Sequence, residues 1–117
     1  MPAHTLVITN DFPPRAGGIQ TFVHELVSRF DPANVTVLAS RHPGDTAFDA
    51  AQPFEVVRAR TSVLLPTPAT LRAATAIIER TGATRVVYGA MAPLGLLAGR
   101  LAARGVETQV AISHGHE

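Results

Sequence analysis

Thr5-Leu6-Val7-Ile8-Thr9, then Asn10-Asp11-Phe12-Pro13-Pro14-Arg15-Ala16-Gly17-Gly18, then Ile19 to Phe30 is the stretch whose reading decides the fold. Its first part is short, apolar and β-branched, as a buried strand is. Its middle is rich in Pro and Gly and reads as a loop from Asn10 to Gly18. In its last part Ile19, Phe22, Val23, Leu26, Val27 and Phe30 recur at helical spacing and form one apolar face. Gln20, Thr21, His24, Glu25, Ser28 and Arg29 fill the other face. Asp31-Pro32 ends the helix, because proline lacks an N–H and disfavours helical geometry in the residue before it. A buried strand, a Gly/Pro loop and an amphipathic helix in that order are the start of a βα unit.

The alternation continues outward from that unit. Val35 to Ala39 and Glu55 to Ala59 read as strands, with a polar connection containing Gly and Pro between them. Ala69 to Thr81 reads as a helix closed by Gly82, a natural residue just past a helix end. Arg85 to Tyr88 is a fourth strand. Pro93 opens a helix carried by Leu94, Leu97, Ala98, Leu101 and Ala102 and closed by Gly105. Gln109 to Ser113 is the last strand. Strands alternating with helices predict right-handed crossovers and an α/β, Rossmann-like, doubly wound parallel sheet covered on both faces. The 117 residues suit one domain. They end at Glu117, just past the last strand, where a ligand-bearing loop is expected, so the reading is of part of a longer protein.

Composition narrows the function classes. With 46% hydrophobic and 16% charged residues, the chain can build a core. A formal net charge of +1, with the arginines scattered, leaves no basic stripe for nucleic acid. There is no cysteine, which removes disulfides and thiolate chemistry. No apolar run approaches the roughly 20 residues that span a bilayer, and no signal peptide is visible. The expectation is a soluble protein, or one that lies on a membrane surface.

Chemistry concentrates in the loop after the first strand. Gly17-Gly18 immediately before a helix lets a backbone approach closely. The free N–H groups and dipole of the first turn then favour an anion such as a phosphate or diphosphate. Glycine is also a common turn residue, and a tight turn before a core helix is the bland alternative. The dinucleotide pattern G-x-G-x-x-G is missing, and no Gly-Lys-Ser/Thr follows as a P-loop requires. Arg15 offers a guanidinium fork that suits phosphate, or is simply solvated. Asp11 reads first as an Asx-turn residue, with a functional role second. At the other end, His114 directly follows the last strand and falls at the carboxyl edge of the sheet. His116 is the second candidate there. A zinc site of His114, His116 and Glu117 is disfavoured, because adjacent residues rarely close a proper tetrahedron. His4, His24 and His42 are assigned to the surface or to turns.

Three segments together resemble a known family. Asn10-Asp11-Phe12-Pro13-Pro14 with Gly17-Gly18-Ile19-Gln20, Tyr88-Gly89-Ala90-Met91-Ala92-Pro93-Leu94-Gly95, and Ser113-His114-Gly115-His116-Glu117 are similar to the N-terminal signatures of family 4 retaining glycosyltransferases of the GT-B fold. Within it they most resemble the actinobacterial phosphatidylinositol mannosyltransferases that add the second mannose. The resemblance covers nearly the whole chain but about the first third of such an enzyme. It implies that residues 1–117 are a truncated N-terminal, acceptor-side domain without the C-terminal donor-binding domain. It implies a nucleotide-sugar donor, GDP-mannose, and a phosphatidylinositol-mannoside lipid acceptor. No cofactor or obligatory metal is implied. The location implied is cytoplasmic, with peripheral contact to the anionic inner face of the membrane. Gly17 and Gly18 would face the donor diphosphate. Gln20 and Arg15 would reach the acceptor head group, although a Gln in a first helical turn is as often solvated. One histidine, His114 or in the other register His116, would contact the transferred sugar. The same family with another donor or acceptor, and a non-enzymatic flavodoxin-like module, are the alternatives.

Overall fold

A computed structural model describes residues 3–90 and 93–112. Five strands form one parallel sheet in the order β3-β2-β1-β4-β5. They are β1 (Thr5–Thr9), β2 (Val35–Ala39), β3 (Glu55–Arg58), β4 (Arg85–Tyr88) and β5 (Thr108–Ala111). β1 is central and pairs with β2, Thr5 opposite Val35 through Thr9 opposite Ala39, and with β4, Ile8 opposite Tyr88. The chain runs outward from β1 through β2 to β3, then returns to the other side for β4 and β5. The reversal lies between β1 and β4, and in open α/β sheets the crevice outside the carboxyl ends at that point takes ligands.

β1 and β2 are buried along their whole length, as strands covered on both faces must be. Leu6, Ile8 and Leu38 face α3 (Pro68–Thr81) and α4 (Ala98–Ala102), where Ile77, Ile78 and Leu101 complete one core layer. Val7, Val35, Val37 and Ala39 face α1 (Gly18–Ser28), whose Val23 and Val27 complete the other with Phe12 and Phe54. Thr67 caps α3 by accepting from the Thr70 N–H, and Gly82 closes it in a left-handed conformation at φ 72°.

The α/β class and all five predicted strands are present, with several differences of extent. β3 stops at Arg58, although the Ala59 N–H still donates to the Ala39 carbonyl at 2.9 Å. β5 starts one residue earlier than predicted, and Ser113 lies outside the described residues. α1 ends at Ser28. Arg29 and Phe30 then tighten into three-residue bonds to Leu26 and Val27 ahead of Pro32. Phe22 is 49% exposed, because the apolar stripe of α1 is wider than its contact with the sheet. Residues 94–97 form a 3-10 turn before α4 rather than one continuous helix. Gly95 lies within that turn and Gly99 within α4, and glycine costs about 1 kcal/mol in a helix interior.

One helix had no sequence signal. α2 (Asp45–Ala50) lies in what reads as an irregular connection, and six residues are too few to show a period. Its Phe48 packs edge-on against Phe12 at 5.9 Å. The same cluster corrects the reading of His24 as a surface residue. Its ring sits 5.8 Å from Phe12 and 5.6 Å from Phe48, and Nε2 is 2.8 Å from Gln52 Oε1. The ring's polar edge has a partner within the fold, which lets an apolar face of α1 carry it.

Asp45, at the start of α2, carries a pH prediction. The Arg41 guanidinium, hydrogen-bonded to its carboxylate at 2.7 Å, and the His42 N–H hold the Asp45 pKa down at about 2. A depressed carboxylate adds stability above its unfolded pKa and loses it as pH falls through the folded value. Denaturant midpoints should therefore drop between about pH 4 and pH 2. That drop should be smaller in Asp45→Asn, measured by urea titration across the range.

Candidate functional site

The candidate site lies at the carboxyl edge, between the ends of β1 and β4. Thr9 ends β1 fully buried, and its Oγ1 accepts from the Asp11 N–H at 2.8 Å, which turns the chain out of the strand. Beside it, Gly89 leaves β4 with its N–H donated to the Ile8 carbonyl at 2.9 Å. A Cβ at Gly89 would fall 2.2 Å from Thr9 Oγ1 and 2.6 Å from Thr9 Cβ. The glycine is thus what allows the two strand ends to meet at the topological switch point.

The loop from Asn10 to Gly17 is fastened from three directions. Asn10 bonds both polar groups of Leu64: its Nδ2 donates to the carbonyl at 2.9 Å and its Oδ1 accepts from the N–H at 2.6 Å. This ties the loop after β3 to the end of β1 and sets Leu64 into the core. Arg58, from β3, donates to the Pro13 carbonyl at 2.6 Å. Arg15 donates to the Ser62 carbonyl over a long 3.4 Å.

Gly17 precedes α1 with φ 149°, a conformation open to glycine and little else. A Cβ there would meet Gln20 Oε1 at 2.2 Å. Gln20 folds back over the loop, and its Nε2 donates to Asp11 Oδ1 at 3.3 Å. Gly18 is the first residue of α1, and a Cβ there would have nothing within 4 Å. Gly17, at the N-cap of α1, offers no side chain to cap the helix, so among the described residues no side-chain cap takes up the leading N–H groups of the first turn.

Asp11, Arg15, Gly17, Gly18 and Gln20 thus lie on one loop and the helix turn it enters. Asp11 is engaged through the Gln20 amide. Of the two glycines, Gly17 carries the positive φ and Gly18 does not. His114 and His116 lie outside the described residues, as do Met91 and Ala92. Ile112 still donates its N–H to the Tyr88 carbonyl at 3.0 Å, carrying the chain to the carboxyl edge on the β4 side. Among the described residues no three His, Asp or Glu side chains gather as metal ligands. No described helix is long and apolar enough to cross a membrane. Sequence reasoning missed Arg58 and the clasp that Asn10 makes on Leu64. Arg58 interrupts an apolar strand, which is a weak signal, and Asn10 gives none beyond its place in the motif.

A parallel sheet of order 3-2-1-4-5, with a glycine loop entering α1 at its switch point, defines a Rossmann-like α/β domain. No protein-family model matches the chain. Over 97% of its length it is 43% identical to a GDP-mannose-dependent monoacylated alpha-(1-6)-phosphatidylinositol monomannoside mannosyltransferase of Corynebacterium glutamicum, of which it covers 30%. It is 39% identical over 98% of its length to the GDP-mannose-dependent alpha-(1-6)-phosphatidylinositol monomannoside mannosyltransferase of Mycobacterium tuberculosis, covering 31% of it. The Mycolicibacterium smegmatis enzyme of that name is 42% identical over 96% of the chain, with 30% of it covered. The chain is a homologue of one part of these mannosyltransferases and spans about a third of their length.

Proposed function

We propose that this chain is the acceptor-side, N-terminal part of a retaining mannosyltransferase that moves mannose from GDP-mannose to a phosphatidylinositol monomannoside lipid. The observation that carries the reading is the near-complete match of the chain to three mannosyltransferases named for that same donor and acceptor. The geometry supports it from the other direction. Retaining transfer expels a nucleoside diphosphate, and stabilising the charge that develops on it is the main catalytic task. The Gly17-Gly18 backbone and the uncapped first turn of α1 supply N–H groups and a positive dipole end for that diphosphate. Gln20, which Asp11 orients, and Arg15 reach the acceptor head group. His114, or His116 in the other register, contacts the transferred sugar. No metal is needed in this scheme. The nucleoside pocket and the remaining diphosphate contacts come from sequence outside these 117 residues. The enzyme works on the cytoplasmic side and touches the anionic membrane face reversibly, through apolar contact and arginine attraction.

The test is a chimera in which this chain replaces the matching stretch of the Corynebacterium glutamicum relative. It should transfer mannose from GDP-mannose to phosphatidylinositol monomannoside and float with anionic vesicles at low salt. Alanine at His114 and at His116, made separately, identifies the one that faces the sugar by the larger fall in turnover. A folded chimera that transfers nothing, or that prefers a water-soluble acceptor, would sink the reading.

A further inference from the structure

We propose that Arg58 is a positioning residue, which sets the β1–α1 loop from beneath and so fixes where the first turn of α1 opens. The inference rests on the functional reading only in giving that opening a substrate; the loop geometry stands without it. Arg58 has a side chain just 7% exposed at the end of β3. Its Nε and Nη2 donate to the two oxygens of Asp49 at 3.1 and 2.9 Å. Nη1 donates to the Ser40 carbonyl at 2.9 Å, and Nη2 also donates to the Pro13 carbonyl at 2.6 Å. The guanidinium lies 5.6 Å from the centre of the Phe12 ring, as a cation over an aromatic face does. One planar fork therefore joins the end of β2, helix α2 and the loop after β1.

The Pro13 bond matters because of what the loop lacks. Pro13 and Pro14 have no N–H, so this stretch cannot be anchored by its own donors. Its carbonyls are what remain, and Arg58 takes the first of them. Asn10 holds the loop on the strand side of this point, and the Asp11–Gln20 bond closes it on the helix side. A lysine at position 58 would keep a charge for Asp49. It has no rigid fork with which to reach Asp49, Ser40 and Pro13 together.

The experiment is native-state amide exchange on the 117-residue chain, followed by NMR. The Asp11 amide, bonded to Thr9 Oγ1, and the Thr21 amide, bonded to the Gly17 carbonyl, report on the loop. Val7, Val37 and Val87 report on the sheet. In R58K, exchange at Asp11 and Thr21 should accelerate about tenfold relative to the sheet, the effect of losing one charged hydrogen bond. In D49N, which leaves the Pro13 bond in place, loop and sheet should change together. A neutral pair of similar size, R58M with D49L, removes the buried charges as a unit and so guards against simple unfolding. It should keep the sheet protected and still release the loop. Parallel changes in loop and sheet in R58K, or an undisturbed loop in the neutral pair, would overturn the proposal. So would failure of both to fold, which makes Arg58 a residue of the whole fold. In the chimera the same variants should lower turnover with the melting temperature held by the neutral pair. A chimera inactive before mutation counts against the mannosyltransferase reading and leaves the exchange result standing.

Discussion

Gly18→Ala should leave the domain folded and cut mannose transfer by the chimera about 100-fold or more. The two halves of that expectation come from different observations. Gly18 is the first residue of α1, its surroundings are open, and a Cβ there meets no protein atom within 4 Å. Alanine is also the better helix former, so stability should hold or rise slightly. The space in front of the residue is then the only thing the methyl group can fill. If the backbone N–H groups of this turn hold the leaving diphosphate, a methyl pushes it away from donors that must act at about 3 Å. Removing one such donor costs about 10²–10³ in turnover. Gly17→Ala cannot make this separation. Its φ of 149° strains any side chain, and the Cβ would displace Gln20. Loop order, Gln20 placement and transfer would fall together, with about 1–3 kcal/mol of backbone strain. Thermal melts of the two variants beside their transfer rates make the comparison. Full transfer by Gly18→Ala would remove the diphosphate from this turn and leave a tight turn before a core helix.

Much of this was legible in the residues. β1, β2 and β4 lie where their apolar, β-branched runs place them, because a strand buried on both faces has few other compositions open to it. The Gly17-Gly18 pair marked the junction between the loop and α1. Which glycine carries the unusual backbone was not legible. That depends on where α1 begins, and Gly18 proves to be inside the helix. His24 reads as polar on a helical wheel, yet it is set among Phe12, Phe48 and Phe54 by α2, an element too short to announce itself. The role of Arg58 was hidden for a related reason, although its place in an apolar strand was a weak signal. Its partners Pro13, Ser40 and Asp49 are scattered over three segments, and only the parallel sheet brings them to one guanidinium. Periodicity reports on an element's own faces; it says nothing of contacts made between loops.

Gly89→Ala should destabilise the domain by about 3 kcal/mol, at the upper end of what overpacking usually costs. The added Cβ would lie 2.2 Å from Thr9 Oγ1, 2.6 Å from Thr9 Cβ and 3.4 Å from Thr9 Cα. A rotamer change moves the hydroxyl but not the Cβ, so β1 and β4 must separate at their carboxyl ends. That strains the Gly89 N–H bond to Ile8 and the Thr9 bond that turns Asp11 out of the strand. The loop that carries Gly17, Gly18 and Gln20 starts from that turn, so transfer should fall further than stability alone accounts for. The cause can be isolated by removing the other partner. In a Thr9→Gly background the methyl has no Cβ or Oγ1 to meet, and most of the cost of Gly89→Ala should vanish. Thr9→Gly is itself destabilising, since it loses a buried side chain and frees a strand residue. The informative quantity is therefore the coupling, which should exceed about 1 kcal/mol and favour the double variant over the sum of the singles. Urea denaturation of the four proteins in the cycle measures it. Additive effects would mean that the strand ends do not meet at Gly89 and Thr9, and that the crevice at the switch point has some other floor.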